Sequence, residues 1–231
     1  MHTRQGPGSR LCGPARTSLP GVIGLLGLLG ALAGCGSGGP LAGGGGDQTE
    51  LLLRSVPAED GVVEDDRDVR TDGLVPQVGD LGAESRGREV RQFLSFDLSS
   101  VPPNSLVTSA VLRLDQFVVV GAPYASLGPV LVDHVDYGTL DADDFAARAL
   151  HTGLGPLSNS AALGGRSCDV TEAVAQDVAL GRARSQFRLY FAPPGSDGDL
   201  QNDFASFAEA EAATTGNGQP PALVVLVRPR P

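Results

Sequence analysis

The segment 186–192 reads QFRLYFA, in which apolar and polar side chains alternate over the length of a strand. Side chains at positions i, i+2 and i+4 lie on one face of a β-strand. The apolar set that would face a core is Phe187, Leu189 and Phe191. Arg188 and Tyr190 then lie on the opposite face, where we expect them to contact solvent. This period of two, rather than a helical period, indicates a β fold.

Seven further runs rich in Val, Leu and Phe lie on both sides of this segment, separated by clusters of Gly, Pro, Asp and Asn. They occupy residues 50–56, 61–64, 90–96, 107–120, 130–137, 204–208 and 222–227. Many short strands with turn signals between them favour a β-sandwich. We therefore predict an all-β fold over residues 50–231, a single antiparallel β-sandwich that is jelly-roll-like.

One stretch has helical features and one has the chemistry of a tight turn. Val170, Val174 and Val178 recur at helical spacing, and Gly181 suits the left-handed position after a helix end, which predicts one short helix over 173–180. The sequence Pro-Pro-Asn-Ser at 102–105 favours a turn. We expect this turn to join strands 90–96 and 107–120 as a meander.

The N-terminus has the pattern of an export signal. Its first twenty residues carry three arginines and no acidic residue, and the apolar run at 21–32 is shorter than the roughly 20 residues of a membrane span. Leu32-Ala33-Gly34-Cys35 resembles the lipobox of bacterial lipoproteins, which implies cleavage after a signal peptide of residues 1–34 and a diacylglycerol on Cys35. A Gly-rich linker, predicted to be disordered, then fills the rest of 35–49.

Charge and cysteine count restrict the function of the mature chain. Removing the signal takes away three arginines and no acids, so the net charge falls from −10 to −13. An acidic surface repels phosphate backbones, so we expect no nucleic-acid partner. Of the three cysteines, only Cys168 remains as a free thiol, since Cys12 leaves with the signal and Cys35 is lipidated. The domain must therefore be stable without a disulfide.

Several motifs in order resemble the DNRLRE domain family, which overlaps a family of carbohydrate-binding modules. They are Gly79-Asp80, an arginine-rich strand at 86–91, Phe96-Asp97-Leu98-Ser99, Asp169-Val170-Thr171 and a closing strand at 220–227. The resemblance spans about residues 50–228 and implies a β-sandwich that binds glycan without catalysis. The chain departs from many relatives in having no Trp.

The acidic segment 197–203 reads DGDLQND. Carboxylate and amide oxygens in one short loop, with a glycine that permits a sharp bend, are what calcium requires. The segment therefore predicts calcium ligands at Asp197, Asp199 and Asp203, although the spacing is not that of an EF-hand. The alternative is a solvated hairpin turn between strands 186–192 and 204–208.

The remaining candidate residues favour binding over catalysis. Arg188 and Tyr190 form the best visible platform for a sugar ring, the alternative being that they are ordinary surface residues. The aspartates at 141–144 are typical of a helix N-terminus rather than of a glycosidase pair. His134 and His151 stand alone in the sequence, so neither a Ser-His-Asp triad nor a zinc site is expected.

These observations predict a non-catalytic, lipid-anchored protein of the cell envelope. We expect a monomeric domain, held at the outer membrane or cell surface by acyl chains on Cys35, with extracellular or cell-wall polysaccharide as its ligand. Calcium is the only cofactor that the sequence indicates. The alternative is a structural or protein-interaction lipoprotein without a sugar ligand.

The lipobox interpretation predicts that Cys35→Ser abolishes lipid labelling and leaves an uncleaved precursor, because the lipid-dependent peptidase needs the modified cysteine. Labelling with radioactive fatty acid and the mobility of the chain on a gel measure both effects. Cys168→Ser is the matched control and should be processed like the wild type. Processing of the Cys35 variant after residue 34 would contradict the interpretation.

Overall fold

The structure, a computed structural model, describes residues 48–72, 76–82, 87–192 and 195–230. The predicted signal peptide, Cys35 and all but the last two residues of the predicted linker lie outside these ranges. One compact unit, residues 44–231, contains every described strand and helix.

The described residues form twelve strands. The first six are β1 (Thr49–Arg54), β2 (Gly61–Glu64), β3 (Val69–Arg70), β4 (Gln77–Leu81), β5 (Arg88–Asp97) and β6 (Ser105–Val120). The last six are β7 (Val130–Val135), β8 (Pro156–Ser158), β9 (Gly164–Asp169), β10 (Arg184–Phe191), β11 (Asp203–Phe207) and β12 (Ala222–Pro229). The described helices are α1 (Pro123–Ser126), α2 (Thr171–Leu180), α3 (Ala212–Thr215) and a 3₁₀ turn, Ala142–Ala146.

All strand pairs are antiparallel and form one hydrogen-bonded path, β1-β12-β6-β11-β4-β5-β10-β7-β8. In addition, β2 pairs with β3 and β5, and β9 pairs with β6. Side chains from distant parts of this path share one buried cluster, with Leu112 and Val225 on β6 and β12 and with Leu94 and Phe187 on β5 and β10. The path therefore folds over itself into two layers, which confirms the predicted all-β class and is the arrangement of a β-sandwich.

The core between the layers contains the apolar face predicted for β10. Phe187, Leu189 and Phe191 are buried in it, and the Phe187 ring lies edge-on to Phe96 with centroids 6.1 Å apart. The predicted phase of this strand is confirmed. Cys168, a buried free thiol, belongs to the same core.

The helix α2 covers one part of this core. It begins two residues before the predicted start and ends at Leu180, and Gly181 has the expected left-handed φ of 67°. Val170 and Val174 are buried in the core and Val178 packs against it. The predicted helix and its apolar face are confirmed.

The prediction from the sequence misses four strands and one strand connection. Four of the twelve described strands, β3, β4, β8 and β9, are absent from the predicted set because they are short or rich in Gly and polar residues.

The predicted meander between β5 and β6 is wrong, since β5 pairs with β2, β4 and β10 whereas β6 pairs with β9, β11 and β12. Asn104 does adopt a left-handed φ of 61° in the intervening turn, but the turn carries the chain across the sandwich.

A second, smaller apolar cluster lies apart from the main core. It consists of Val63, Phe93, Val135, Tyr137 and Leu140, with Val69, Phe145 and Ala149 packed against it. Phe93 and Val63 belong to paired strands, and Tyr137 meets Phe93 edge-on with ring centroids 5.5 Å apart. Residues of the segment 137–149 therefore cover the outer face of the β2-β5-β10-β7 region.

The main core predicts that Phe187→Ala lowers the free energy of unfolding by about 3–5 kcal/mol, because a fully buried phenylalanine leaves a cavity when truncated. A total of about 5–15 kcal/mol is usual, so the variant should unfold at a much lower denaturant concentration. Leu163→Ala, at a side chain that is 62% exposed, is the control and should change little. Equal losses in both variants would contradict this assignment of the core.

Candidate functional site

Arg188, predicted to be exposed on the outer face of β10, is 7% exposed and buried. Its Nη2 lies 2.6 Å from Asp133 Oδ2, and its Nη1 donates to the carbonyls of Phe145 and Ala147 at 3.2 and 2.9 Å. Tyr190 is half-buried and donates its hydroxyl to Asp133 Oδ1 at 3.1 Å. The prediction of an exposed platform is wrong, because the segment 137–149 forms an additional layer over this face.

Aromatic rings and guanidinium groups contact one another where this layer meets the sheet. The Arg91 guanidinium lies 4.0 Å from the Phe145 ring centroid and 5.8 Å from that of Tyr190. Cation–π contacts of this kind, together with the hydrogen bonds that Arg91 and Arg188 donate to the Phe145 carbonyl, fix the covering segment on the sheet. Arg188 and Tyr190 therefore have a structural role.

The two histidines also behave differently from the expectation that they stand alone. The rings of His134 and His151 stack with centroids 5.6 Å apart, and His134 Nε2 lies 2.8 Å from Asp177 Oδ2. Ser185 donates to the same carboxylate oxygen at 2.6 Å. The serine thus contacts the carboxylate and not the imidazole, so this trio lacks the serine–histidine contact of a nucleophilic triad. It connects α2 to β7 and β10.

The aspartates at 141–144 cap a short helical turn, as the sequence predicts. The Asp141 carboxylate accepts from the Asp143 N–H at 2.8 Å, and the Asp144 carboxylate accepts from the Asp141 N–H at 2.7 Å. This reciprocal capping box satisfies two N–H groups at the start of the turn.

Two carboxyl groups that the sequence does not single out are buried between the strands. Asp60 and Glu209 are 1% and 4% exposed. Asp60 Oδ1 accepts from the Ser95 N–H at 3.0 Å, and Glu209 Oε1 accepts from Gln92 Nε2 at 3.3 Å. Burial raises the pKa of Asp60 to about 7 and that of Glu209 to about 8, and the charge of Asp60 adds to the shift of Glu209. The one sequence feature that points to these buried carboxyl groups is the position of Asp60 directly before the apolar strand Gly61–Glu64.

The predicted calcium ligands do come together. One carboxylate oxygen from each of Asp197, Asp199 and Asp203 lies within 4.8 Å of the others. The alternative of a hairpin turn is wrong, because β10 pairs with β5 and β7 whereas β11 pairs with β4 and β6. The acidic segment instead crosses between separate parts of the sheet.

A groove of about 510 Å³ lies on the outer face of β1, β12, β6 and β9. Arg54 on β1 is directly opposite Ala222 on β12, which is opposite Arg113 on β6, and Arg113 is opposite Ser167 on β9. Residues in register share one face of a sheet. The small Ala222 therefore forms the floor of a trough between two exposed arginines that are two strand widths, or about 10 Å, apart.

The lining of this groove combines basic and apolar side chains and contains no aromatic one. Arg166 completes a set of three arginines, and Leu52, Asp115 and Gln219 contribute further to the walls. The Arg54 guanidinium donates to the Pro220 carbonyl at 3.0 Å, and Arg166 donates to Ser158 Oγ at 3.0 Å. None of the three arginines forms an ion pair with a residue in the described ranges. Arg54 and Arg113 are exposed and can meet an anionic ligand, whereas the half-buried Arg166 also donates to the carbonyls of Gly165 and Ala162.

Sequence reasoning missed this groove, although part of its signal is present. Arg113 alternates with the core residues Leu112 and Leu114, which marks it as outward-facing. The position of Arg54 beside it depends on the pairing of β1 with β12 and of β12 with β6, which brings together residues far apart in the chain.

Compared with models of known protein families and with curated proteins, the chain matches none of them. Among the helices of the described ranges, none has the length and apolar character needed to cross a bilayer.

The buried carboxyl groups predict that stability falls as pH rises from about 5 to 8. In the folded state Asp60 and Glu209 keep their protons to about pH 7 and 8, whereas in the unfolded chain they lose them near pH 4. The folded state therefore binds more protons in this window, and the free energy of unfolding decreases with pH until both groups are ionised. Each unit of pKa difference corresponds to about 1.4 kcal/mol, and the two groups together span about five units in this window, so the free energy of unfolding should fall by up to about 7 kcal/mol.

Glu209→Gln should weaken this pH dependence, because the amide keeps the hydrogen-bond acceptor and cannot ionise. Urea denaturation of both proteins at pH 5, 6, 7 and 8, in the presence of chelator, measures the slopes. Glu172→Gln, at an exposed position in the first turn of α2, is the control and should leave the slope unchanged. A wild type that becomes more stable between pH 5 and 8 would refute the assignment.

Proposed function

We propose that this protein is a lipid-anchored, non-catalytic module of the cell envelope that binds acidic glycan in the groove between Arg54 and Arg113. The observation that carries the proposal is the in-register row Arg54, Ala222, Arg113 across three neighbouring strands. A trough of this kind suits an extended polymer that lies across the strands.

The chemistry of the lining favours carboxylated or sulfated sugars over neutral ones. Binding of neutral sugars by such modules relies on aromatic faces, and no aromatic side chain lines the groove. Guanidinium groups form bidentate, charge-assisted hydrogen bonds with carboxylate and sulfate. The serine, glutamine and aspartate side chains of the lining can bond to sugar hydroxyl groups.

The local charge contrasts with that of the whole chain. Residues 1–231 carry a net charge of −10, yet three arginines without an ion-pair partner in the described ranges line this one groove. Because the Debye length at physiological salt is about 8 Å, charges elsewhere on the domain are largely screened at the groove. An acidic polymer therefore meets a basic strip on an otherwise acidic protein.

We propose a non-catalytic role because the ionisable groups that a hydrolase would use are not arranged as a pair in the groove. Asp60 and Glu209 are buried, and neither lines the groove. Asp115 is the one carboxyl group in the lining, and its Oδ2 accepts from the Gln219 N–H at 2.8 Å. A single hydrogen-bonded carboxylate does not supply the acid and base that glycoside hydrolysis needs.

The proposal predicts that the domain binds polygalacturonate and not its fully methyl-esterified form, which has the same backbone without the charge. Arg113→Ala should weaken binding roughly tenfold or more, because a hydrogen bond between charged groups contributes about 1.5–3 kcal/mol. Isothermal titration calorimetry on residues 44–231 at two salt concentrations measures the affinity. The affinity should decrease at the higher salt concentration.

Arg148→Ala is the matched control, because Arg148 is exposed and lies outside the groove, in the segment that covers β10. This variant should bind like the wild type. Equal loss in both arginine variants would indicate nonspecific attraction by charge and would refute the groove. Absence of binding to any acidic polysaccharide would overturn the glycan proposal and favour the structural or protein-interaction role.

A further inference from the structure

Beyond the glycan groove, we propose that the domain binds one calcium ion at a four-carboxylate site formed by Asp80, Asp197, Asp199 and Asp203. The site lies where the segment 195–202 meets strands β4 and β11, and none of its residues lines the groove. The sequence alone indicates three of these aspartates. The fourth, Asp80, is the register partner of Asp203 across β4 and β11.

Asp80 is a buried carboxylate with an unused oxygen. It is 0% exposed, and its Oδ1 has no hydrogen-bond partner in the described ranges, while its Oδ2 accepts from Ser196 Oγ. A buried polar atom without a partner costs free energy, and a buried charge costs more. An ionised Asp80 is therefore unfavourable at this position unless a bound cation balances its charge.

The pairing of β4 with β11 brings Asp80 beside Asp203. Asp80 is directly opposite Asp203, which is itself 5% exposed. Side chains in such cross-strand pairs share a face with Cβ atoms about 5 Å apart, and like charges there are destabilising. Ser196, which precedes Asp197 in the acidic segment, donates its hydroxyl to Asp80 Oδ2, so Asp80 contacts this segment directly.

The strands approach each other closely around the site. A Cβ on Gly79 would lie 2.4 Å from the Asp203 carbonyl oxygen, and a Cβ on Gly121 would lie 2.2 Å from Asp203 Oδ1. Both residues have left-handed φ values, of 130° and 69°. Asp203 Oδ1 accepts from the Ala122 N–H, which fixes the direction of that carboxylate.

The ligand set suits calcium. Calcium takes six to eight oxygen ligands at about 2.3–2.6 Å with flexible geometry, whereas magnesium demands a near-ideal octahedron and retains its waters. Four carboxylates, with backbone carbonyls and water, can supply that number. In the described ranges no arginine forms an ion pair with any of the four, so a bound cation would balance the charge.

Thermal unfolding of residues 44–231 in EGTA and in increasing CaCl₂ tests the site. Calcium at a hundredfold excess over its Kd should raise the melting temperature by roughly 5–10 °C, since it binds the folded state alone. Calorimetry should show one ion bound per chain. Equal melting temperatures with calcium and with EGTA, or an equal rise with magnesium alone, would overturn the proposal.

Asp80→Asn provides the sharpest variant. Because it removes a buried charge, it should raise the melting temperature in EGTA and abolish the response to calcium. Asp197→Asn combined with Asp199→Asn, at two exposed positions, retains the amide oxygens that accept the local N–H bonds and should also abolish the response. Asp143→Asn, at an exposed residue of the other acidic segment, is the control and should respond like the wild type.

Full calcium response in either the Asp80 variant or the Asp197/Asp199 double variant would refute this site. Polysaccharide binding by the same variants separates the two proposals. The arginine groove should keep its affinity for polygalacturonate when the calcium ligands are replaced. Loss of the calcium response therefore leaves the glycan proposal unaffected.

Discussion

The packing of the two sheet layers against each other is the interaction on which the rest of this structure depends. No disulfide joins the described residues, where Cys168 is a buried free thiol. The layers are therefore held by apolar side chains such as Phe96 and Phe187, whose rings meet edge-on in the core. Burial of this kind is proportional to the apolar area removed from water, and it is sufficient for a domain of about 180 residues. Every site described above depends on strand positions that this core maintains.

Polar groups are buried in different ways in two regions of the domain. Around β10, Arg188 pairs with Asp133 and also donates to two carbonyls, so that its charge and most of its hydrogen-bonding groups are satisfied. Asp60 and Glu209 have no ion-pair partner in the described ranges and instead have raised pKa values. The first arrangement attaches the covering segment 137–149 to the sheet. The second makes the domain sensitive to pH.

Both proposed sites arise because strands that are distant in sequence pair with each other. In the groove this pairing brings positive charges together, and at the acidic site it brings negative charges together. In the groove, β12 lies between β1 and β6 and places two arginines on one face with a small residue between them. At the acidic site, β4 lies beside β11 and places two aspartates side by side, one of them fully buried. Like charges held together by the fold are unfavourable alone and become favourable when a ligand of opposite charge binds. A basic groove and an acidic pocket can therefore coexist on one domain with separate ligands.

The sequence by itself determined the β class, the phase of β10, the helix α2 and the identity of three clustered aspartates. These features are local, because side-chain periodicity and turn chemistry act over a few residues. Only the tertiary structure decided that Arg188 is buried, since alternation identifies a face of a strand but not whether another layer covers it. The tertiary structure alone decided that Asp80 lies beside Asp203 and that Arg54 lies near Arg113. Those neighbours are separated by more than fifty residues in the chain and are brought together by strand register, which depends on the packing of the whole sandwich.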